Sequence, residues 1–107
     1  MDIQQIEQEL KTGQVSPPRL AEMKDYLAAE SSTIMDRQLE LHMLYAKWFQ
    51  NHRGLHKSDK SAYLAWCADE LGKEELILET RQKKIKVLRE AISSHLRVAS
   101  DAARNMY

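Results

Sequence analysis

Cysteine, proline and glycine are scarce in this chain of 107 residues, which contains one, two and three of them. The single cysteine, Cys67, excludes a disulfide within the chain, and three glycines are too few to build a phosphate-cradling loop. Sixteen basic residues balance sixteen acidic ones, so no overall field attracts nucleic acid or an anionic membrane. No apolar run approaches the roughly 20 residues that a membrane span needs, and we expect no membrane partner.

The N-terminal ten residues are acidic and polar, unlike the basic and then apolar pattern of a secretion signal. Together with the cysteine content, this pattern predicts a reducing, cytoplasmic location. The length predicts one domain, residues 1–107. Since a domain of this size buries only about two thirds of its unfolded surface, self-association is also expected.

Apolar residues recur every seven positions from Leu64 to Met106, and a second run with this spacing extends from Leu20 to Trp48. The spacing is that of one face of a long helix. It predicts an all-α fold, namely an elongated, coiled-coil-like antiparallel helical hairpin with a short N-terminal helix, completed as a bundle by dimerisation. The seam residues are Leu20, Leu27, Ile34, Leu41 and Trp48 in the first run and Leu64, Leu71, Leu78, Ile85, Ile92, Ala99 and Met106 in the second.

Capping residues predict where the helices begin and end. Asp2 and Ser16 are N-cap residues by type, and Gly13 can end a helix in a left-handed turn. Asp69 can cap a fresh start before Gly72, so we expect a kink or break there. Whether the chain also breaks at residues 31–33 stays open. The predicted helices span about residues 2–12, 17–52, 59–68 and 70–105.

A short connection near Gly54 makes the two long helices antiparallel and sets the register between their seams. In this register Arg37 and Lys47 lie near the acidic residues that open the last helix, and the basic residues 81–89 lie beside acidic residues of the second helix. The predicted seam pairs are Trp48 with Leu64, Leu41 with Leu71, Ile34 with Leu78, Leu27 with Ile85, and Leu20 with Ile92.

Several short patterns occur in the order Lys57-Ser58-Asp59-Lys60, Trp66, Gly72, Lys86-Val87-Leu88, Ser93, Leu96-Arg97-Val98 and Ala103-Arg104-Asn105. With them, residues 20–107 resemble a group of small all-helical proteins of tailed bacteriophages and prophages. The resemblance implies a bacterial host cytoplasm during phage growth, and a role in DNA metabolism or in interference with a host factor. It transfers no functional residue, because no activity is assigned to that group.

Candidate reaction centres are few. His52 and His56 with Cys67 suggest zinc, but Gly54 separates the histidines and a fourth ligand is missing, so we predict no metal and no cofactor. Cys67 lies on an apolar helix side, where a buried thiol is favoured over a nucleophile. His42 and His95 are interpreted as seam-edge residues. We therefore predict no catalytic residue and no enzymatic activity.

Five aromatic residues, Tyr45, Trp48, Phe49, Tyr63 and Trp66, gather beside the predicted hairpin turn. We expect the two tryptophans to form a core there. An outward-facing Phe49 would then form an exposed apolar patch with Leu55. Basic residues surround these rings. The predicted partner-binding residues are Phe49, His52, Arg53, Leu55, His56, Lys57 and Lys60.

Two functional hypotheses follow from this candidate site. The leading one is a non-enzymatic phage or prophage accessory protein that binds, and so modulates or inhibits, a host or phage protein. The alternative is a nucleic-acid-binding accessory factor in phage DNA metabolism that uses the basic aromatic end, since aromatic rings among cations are typical of such contacts. In both cases the protein is expected to be a homodimer.

Overall fold

The computed structural model describes residues 1–105, apart from the side chains of Arg53 and Asn105. It contains α1 (Ile3–Thr12), α2 (Pro17–His52), a 3-10 helix (Arg53–Leu55), α3 (Asp59–Ala68) and α4 (Glu70–Asn105). Residues 1–105 contain no strand, and α2 packs against α4. The predicted all-α helical hairpin is therefore confirmed. The predicted seam residue Met106 lies outside the described residues.

The helix ends follow the capping chemistry of the sequence. Asp2 Oδ1 accepts a hydrogen bond of 2.8 Å from the backbone N–H three residues later. Gly13 ends α1 with φ of 71°, the left-handed conformation that glycine adopts without steric cost. Ser16 precedes the two prolines that open α2, and α2 then runs without a break through residues 31–33. No helix within residues 1–105 is both long and apolar enough to cross a membrane.

The predicted break before α4 is confirmed at Asp69. This residue has an extended backbone, with φ of −76° and ψ of 156°. Its carboxylate accepts the backbone N–H of Leu71 at 3.1 Å, and its own N–H donates to the carbonyl of Trp66 at 3.0 Å. One residue thus ends α3 and starts α4, which changes the direction of the chain with no loop between the helices.

The chain divides into two compact units, and the prediction of a single domain stays a prediction. Within the described residues, the first unit contains Met1–Ser31 and residues 83–105. Here α1 supplies core residues. Its Glu7 forms an ion pair with Lys84, in which Oε2 lies 2.9 Å from Nζ. A helix of ten residues is too short to persist alone, so this docking is what stabilises it. The buried side chains of the unit are Ile6, Leu10, Leu20, Met23, Leu27, Ile85, Leu88 and Ile92.

The second unit is Ser32–Gln82. Its α2 segment buries Ile34 and Leu41, as the seam predicts. Arg37 spans from α2 to α4, where its Nη2 donates to Glu74 Oε1 at 2.9 Å and its Nε donates to the other carboxylate oxygen. This bidentate pair agrees with the predicted position of Arg37 beside the acidic start of α4, and it fixes the register of the two helices.

The predicted pairing of Trp48 with Leu64 is wrong. Leu64 is 59% exposed, whereas Trp66 is only 1% exposed and its ring centroid lies 5.6 Å from that of Trp48. The seven-residue repeat carries one seam through Leu64 across the predicted break, but the break at Asp69 lets α3 adopt its own rotation about its axis. The phase of the α4 seam therefore does not extend into α3.

Replacing Ile85 by aspartate should lower the free energy of unfolding by roughly 3–5 kcal/mol, because it places an unpaired charge in a position that is 1% exposed. Val87→Asp is the matched control, since Val87 lies on the same helix and is 62% exposed. The control should change stability by less than about 0.5 kcal/mol. Urea denaturation followed by circular dichroism measures both, and equal midpoints would show that the assigned core face of α4 is incorrect.

The Arg37–Glu74 pair also predicts how stability depends on pH. Hydrogen bonds from Arg37 lower the pKa of Glu74 below its ordinary value of 4.5. A carboxyl whose pKa is lower in the folded state stabilises the fold above its unfolded pKa, and that contribution disappears as the pH falls through the folded value. The pair should therefore stabilise the protein at neutral pH and cease to do so in acid.

The measurement is the free energy of unfolding of wild type and Arg37→Gln between pH 7 and pH 2. The two should differ most above about pH 4.5 and converge in acid. Arg81→Gln removes the same charge from an exposed arginine of α4 that makes no ion pair within the described part of the chain. Its difference from wild type should stay nearly constant, and an Arg37→Gln difference that is equally constant would contradict the pKa shift.

Candidate partner-binding site

The five aromatic side chains beside the turn form one cluster, in which Tyr45 contacts all of the others. Its ring centroid lies 5.2 Å from Trp66, 5.9 Å from both Phe49 and Tyr63, and 6.1 Å from Trp48. The Tyr63 ring meets Tyr45 edge to face at 90°. Such offset and edge-on contacts are the preferred arrangements of aromatic rings. Burial raises the pKa of Tyr45, so its hydroxyl stays protonated at neutral pH. We refer to these five residues as the aromatic cluster.

The indole of Trp66 is the most deeply buried part of this cluster. Its Nε1 donates to Glu75 Oε2 at 2.9 Å, so the one polar atom of the side chain has a partner. The other oxygen of Glu75 lies 2.9 Å from Nε2 of His42 on α2. Glu75 thus links all three helices that meet here. The sequence gives no signal for this role, because Glu75 lies in a run of ordinary acidic helix residues.

Gly72 lies against the backbone of Trp66. A Cβ at this position would overlap with the Trp66 carbonyl oxygen and lie 2.9 Å from the Cα of Cys67. The first turn of α4 can therefore pass the end of α3 only because residue 72 has no side chain. From the sequence alone, this glycine is merely a weak helix former. In the structure it permits the close approach that holds Trp66 in place.

Two predicted partner-binding residues, His52 and His56, pack on the indole of Trp48. The His52 ring stacks on it at 4.5 Å and 9°, and the His56 centroid lies 6.0 Å away. Nδ1 of His52 lies 2.7 Å from the Trp48 carbonyl oxygen, which can only accept, so Nδ1 carries the proton. This hydrogen bond satisfies a backbone carbonyl in the last turn of α2. Both histidines are partly buried and support the turn.

The remaining predicted site residues differ in exposure. Phe49 is partly buried in the aromatic cluster, whereas the side chain of Arg53 lies outside the described part of the structure. Leu55 is 77% exposed, and its 3-10 helix contacts α3, which carries the exposed residues Tyr63 and Leu64. Neither of these two was among the predicted partner-binding residues. We call this set the hairpin-end surface: Leu55, Tyr63 and Leu64, with the exposed lysines Lys57 and Lys60.

Cys67 has a tyrosine, Tyr63, as a hydrogen-bonded neighbour. Its side-chain hydrogen bond with Tyr63 is the main cause that raises the pKa of Tyr63. A tyrosine with a raised pKa stays protonated at neutral pH and cannot take the proton of a thiol. Within residues 1–105, no three histidine, cysteine, aspartate or glutamate side chains lie close enough together to hold a metal ion.

Comparison of the chain with protein-family models, with curated proteins and with solved structures found no match. The resemblance to small phage proteins therefore stays a prediction. The partner-binding assignment rests on the residues of the hairpin-end surface themselves.

Gly72→Ala should destabilise the protein by about 1–3 kcal/mol, because the added methyl group overlaps with backbone that cannot move freely. Helix propensity alone predicts the opposite sign, since alanine is favoured over glycine by about 1 kcal/mol within a helix. Gly54→Ala is the control, because a Cβ there meets nothing within 4 Å. Thermal unfolding and tryptophan fluorescence report the outcome, and a higher melting temperature for Gly72→Ala would contradict the close approach.

Proposed function

We propose that this protein is a non-enzymatic accessory protein that acts by binding another protein through its hairpin-end surface. The observation that supports the proposal is the exposure of Leu55 and Leu64, at 77% and 59%, on two short helices that contact each other. Exposed apolar side chains that occur together on a soluble protein often mark a contact surface. The fold itself does not need these two leucines in its core.

The surroundings of the two leucines also suit a binding surface. Tyr63 is partly exposed, and tyrosine is among the residues that most often dominate binding energy. Lys57 and Lys60 add a charged rim, which favours an acidic partner and contributes to the rate of association. The aromatic cluster holds α3 in position before binding, so less conformational freedom is lost when the complex forms.

The biological setting in this proposal comes from the resemblance stated above. It is a bacterial cytoplasm during phage growth, where the protein would modulate or inhibit a host or phage factor. The capture experiment described below would identify that factor.

Nucleic-acid binding is the alternative, and the geometry of the aromatic cluster gives it less support. Binding of single strands relies on ring faces on which bases stack. Here one face of Trp48 stacks on His52, and Trp66 is buried. Lys47, Lys57 and Lys60 are exposed and could contact phosphates, but three lysines give only a modest electrostatic contribution.

The variant Leu55→Ser with Leu64→Ser should keep the wild-type melting temperature and lose most of its partner binding. Both side chains are exposed, so their removal costs little stability, whereas residues that dominate an interface contribute about 2 kcal/mol or more each. The measurement is cross-linking and capture of bound protein from bacterial cells that produce the chain, with thermal unfolding of each variant in parallel.

The control is Val87→Ser with Val98→Ser, which removes similar apolar surface from exposed positions of α4. It should capture the same proteins as wild type. Undiminished capture by the leucine variant would overturn the proposal. Retention of DNA or RNA that falls steeply with salt, together with no captured protein, would favour the alternative instead.

A further inference from the structure

A row of basic and hydroxyl side chains runs along one flank of α4, in the unit that contains residues 83–105. Its members are spaced three or four residues apart, which places them in one line along the helix. All of them are exposed, and none is acidic. The row is about 27 Å long, since a helix rises about 1.5 Å per residue. We call it the α4 basic row: Lys86, Arg89, Ser93, Arg97, Ser100 and Arg104.

The α4 basic row lies beside the buried face of the helix rather than on it. Lys86 directly follows the core residue Ile85, so the row is about a quarter of a turn away from the core. Lys84 directly precedes Ile85 and lies on the opposite flank, where it forms an ion pair with Glu7 of α1. The docking of α1 therefore leaves the row open to solvent.

The four cations of the row are not neutralised by carboxylates of the chain itself. Lys86, Arg89, Arg97 and Arg104 make no ion pair within the described residues 1–105. Arg19 of the same unit, by contrast, pairs with two glutamates. The row thus presents positive charge that the fold does not use.

Two exposed acidic residues, Glu90 and Asp101, border the row on its outer side, where each directly follows a member of the row. They lie four residues after Lys86 and Arg97, the spacing at which a helix can close an ion pair. Neither pair forms in the described part of the chain. The row therefore keeps its positive charge, and the two carboxylates repel an anion only along the outer border.

We propose that the α4 basic row binds the phosphate backbone of double-stranded DNA without sequence preference. Arginine, lysine and serine side chains are regular donors to phosphate oxygens, and here they follow one another along a single line. A duplex matches such a line, because its persistence length of about 50 nm keeps it nearly straight over the length of the row. The row shares no residue with the hairpin-end surface, so this inference does not depend on the proposed function.

Other partners fit the row less well. It contains no aromatic ring on which the bases of a single strand could stack. It also contains no apolar side chain that could insert into lipid or anchor a protein partner. Because the chain has no net charge, it adds no long-range attraction to the local one. We therefore expect the dissociation constant of about 10⁻⁴–10⁻⁶ M that is typical of non-specific DNA binding at physiological salt.

Fluorescence anisotropy of a labelled duplex of mixed sequence, titrated with the full chain at about 50 to 200 mM salt, tests the proposal. The affinity of wild type should fall on the order of a hundredfold over this range if all four cations contact phosphates. Arg89→Gln with Arg97→Gln should weaken binding about tenfold or more at the lowest salt and roughly halve the salt slope, because two of the contacts are lost. Circular dichroism confirms that each variant is folded. No binding by wild type, or unchanged binding by this variant, overturns the proposal.

Two controls remove the same charge from other places. Lys73→Gln with Arg81→Gln removes two exposed cations of α4 outside the row, and Lys57→Gln with Lys60→Gln removes two from the hairpin-end surface. Both should keep most of the wild-type affinity and the full salt slope. A loss in the first control equal to that of the row variant would show that only net charge matters. An equal loss in the second would assign the duplex to the hairpin-end surface, and either result contradicts the proposal.

Glu90→Gln provides a change of opposite sign. It removes a bordering carboxylate and no phosphate contact, so it should bind the duplex more tightly than wild type with the same salt slope. A single strand of equal length and vesicles of anionic lipid serve as competitors, and the duplex should be preferred to both. Binding by Glu90→Gln that is no tighter than that of wild type, or a preference for either competitor, overturns the assignment.

Discussion

The burial of the Trp66 side chain is the constraint on which the unit Ser32–Gln82 depends. The indole needs apolar neighbours and an acceptor for its N–H, and it finds them in the aromatic cluster and in Glu75. Its own backbone carbonyl accepts the N–H of Asp69, the residue that ends α3, and lies against Gly72. Both Glu75 and Gly72 therefore act on the same side chain, and these separate features form one structural element.

The other unit depends on α1 in a comparable way. In that unit the segments of α2 and α4 each bury one apolar face. Ile6 and Leu10 of α1 are buried as well and belong to the same core. Ion pairs from Glu7 to Lys84 and from Arg19 to Glu9 hold α1 at both neighbouring helices. Since exposed or half-exposed pairs contribute little each, burial of the apolar side chains is the main source of stability, and the charges define where α1 docks.

The hairpin-end surface is the contact proposed for a protein partner. The hairpin-end surface offers leucines and a tyrosine on pre-positioned short helices, which suits a partner of different shape and acidic charge. Leu55 and Leu64 of this surface are exposed and are not part of the core.

The seven-residue repeats and the caps at Asp2, Gly13 and Asp69 determined the all-α hairpin, because helical spacing and capping are local properties of the chain. The sequence also predicted that aromatic residues gather beside the turn. Tertiary structure decided that Trp66 rather than Leu64 meets Trp48, since the rotation of α3 about its own axis depends on the break at Asp69 and on Gly72. It also decided that His52 and His56 pack on an indole while Leu55 and Leu64 stay exposed. These outcomes depend on which side chains compete for one buried space, and no local pattern encodes that competition.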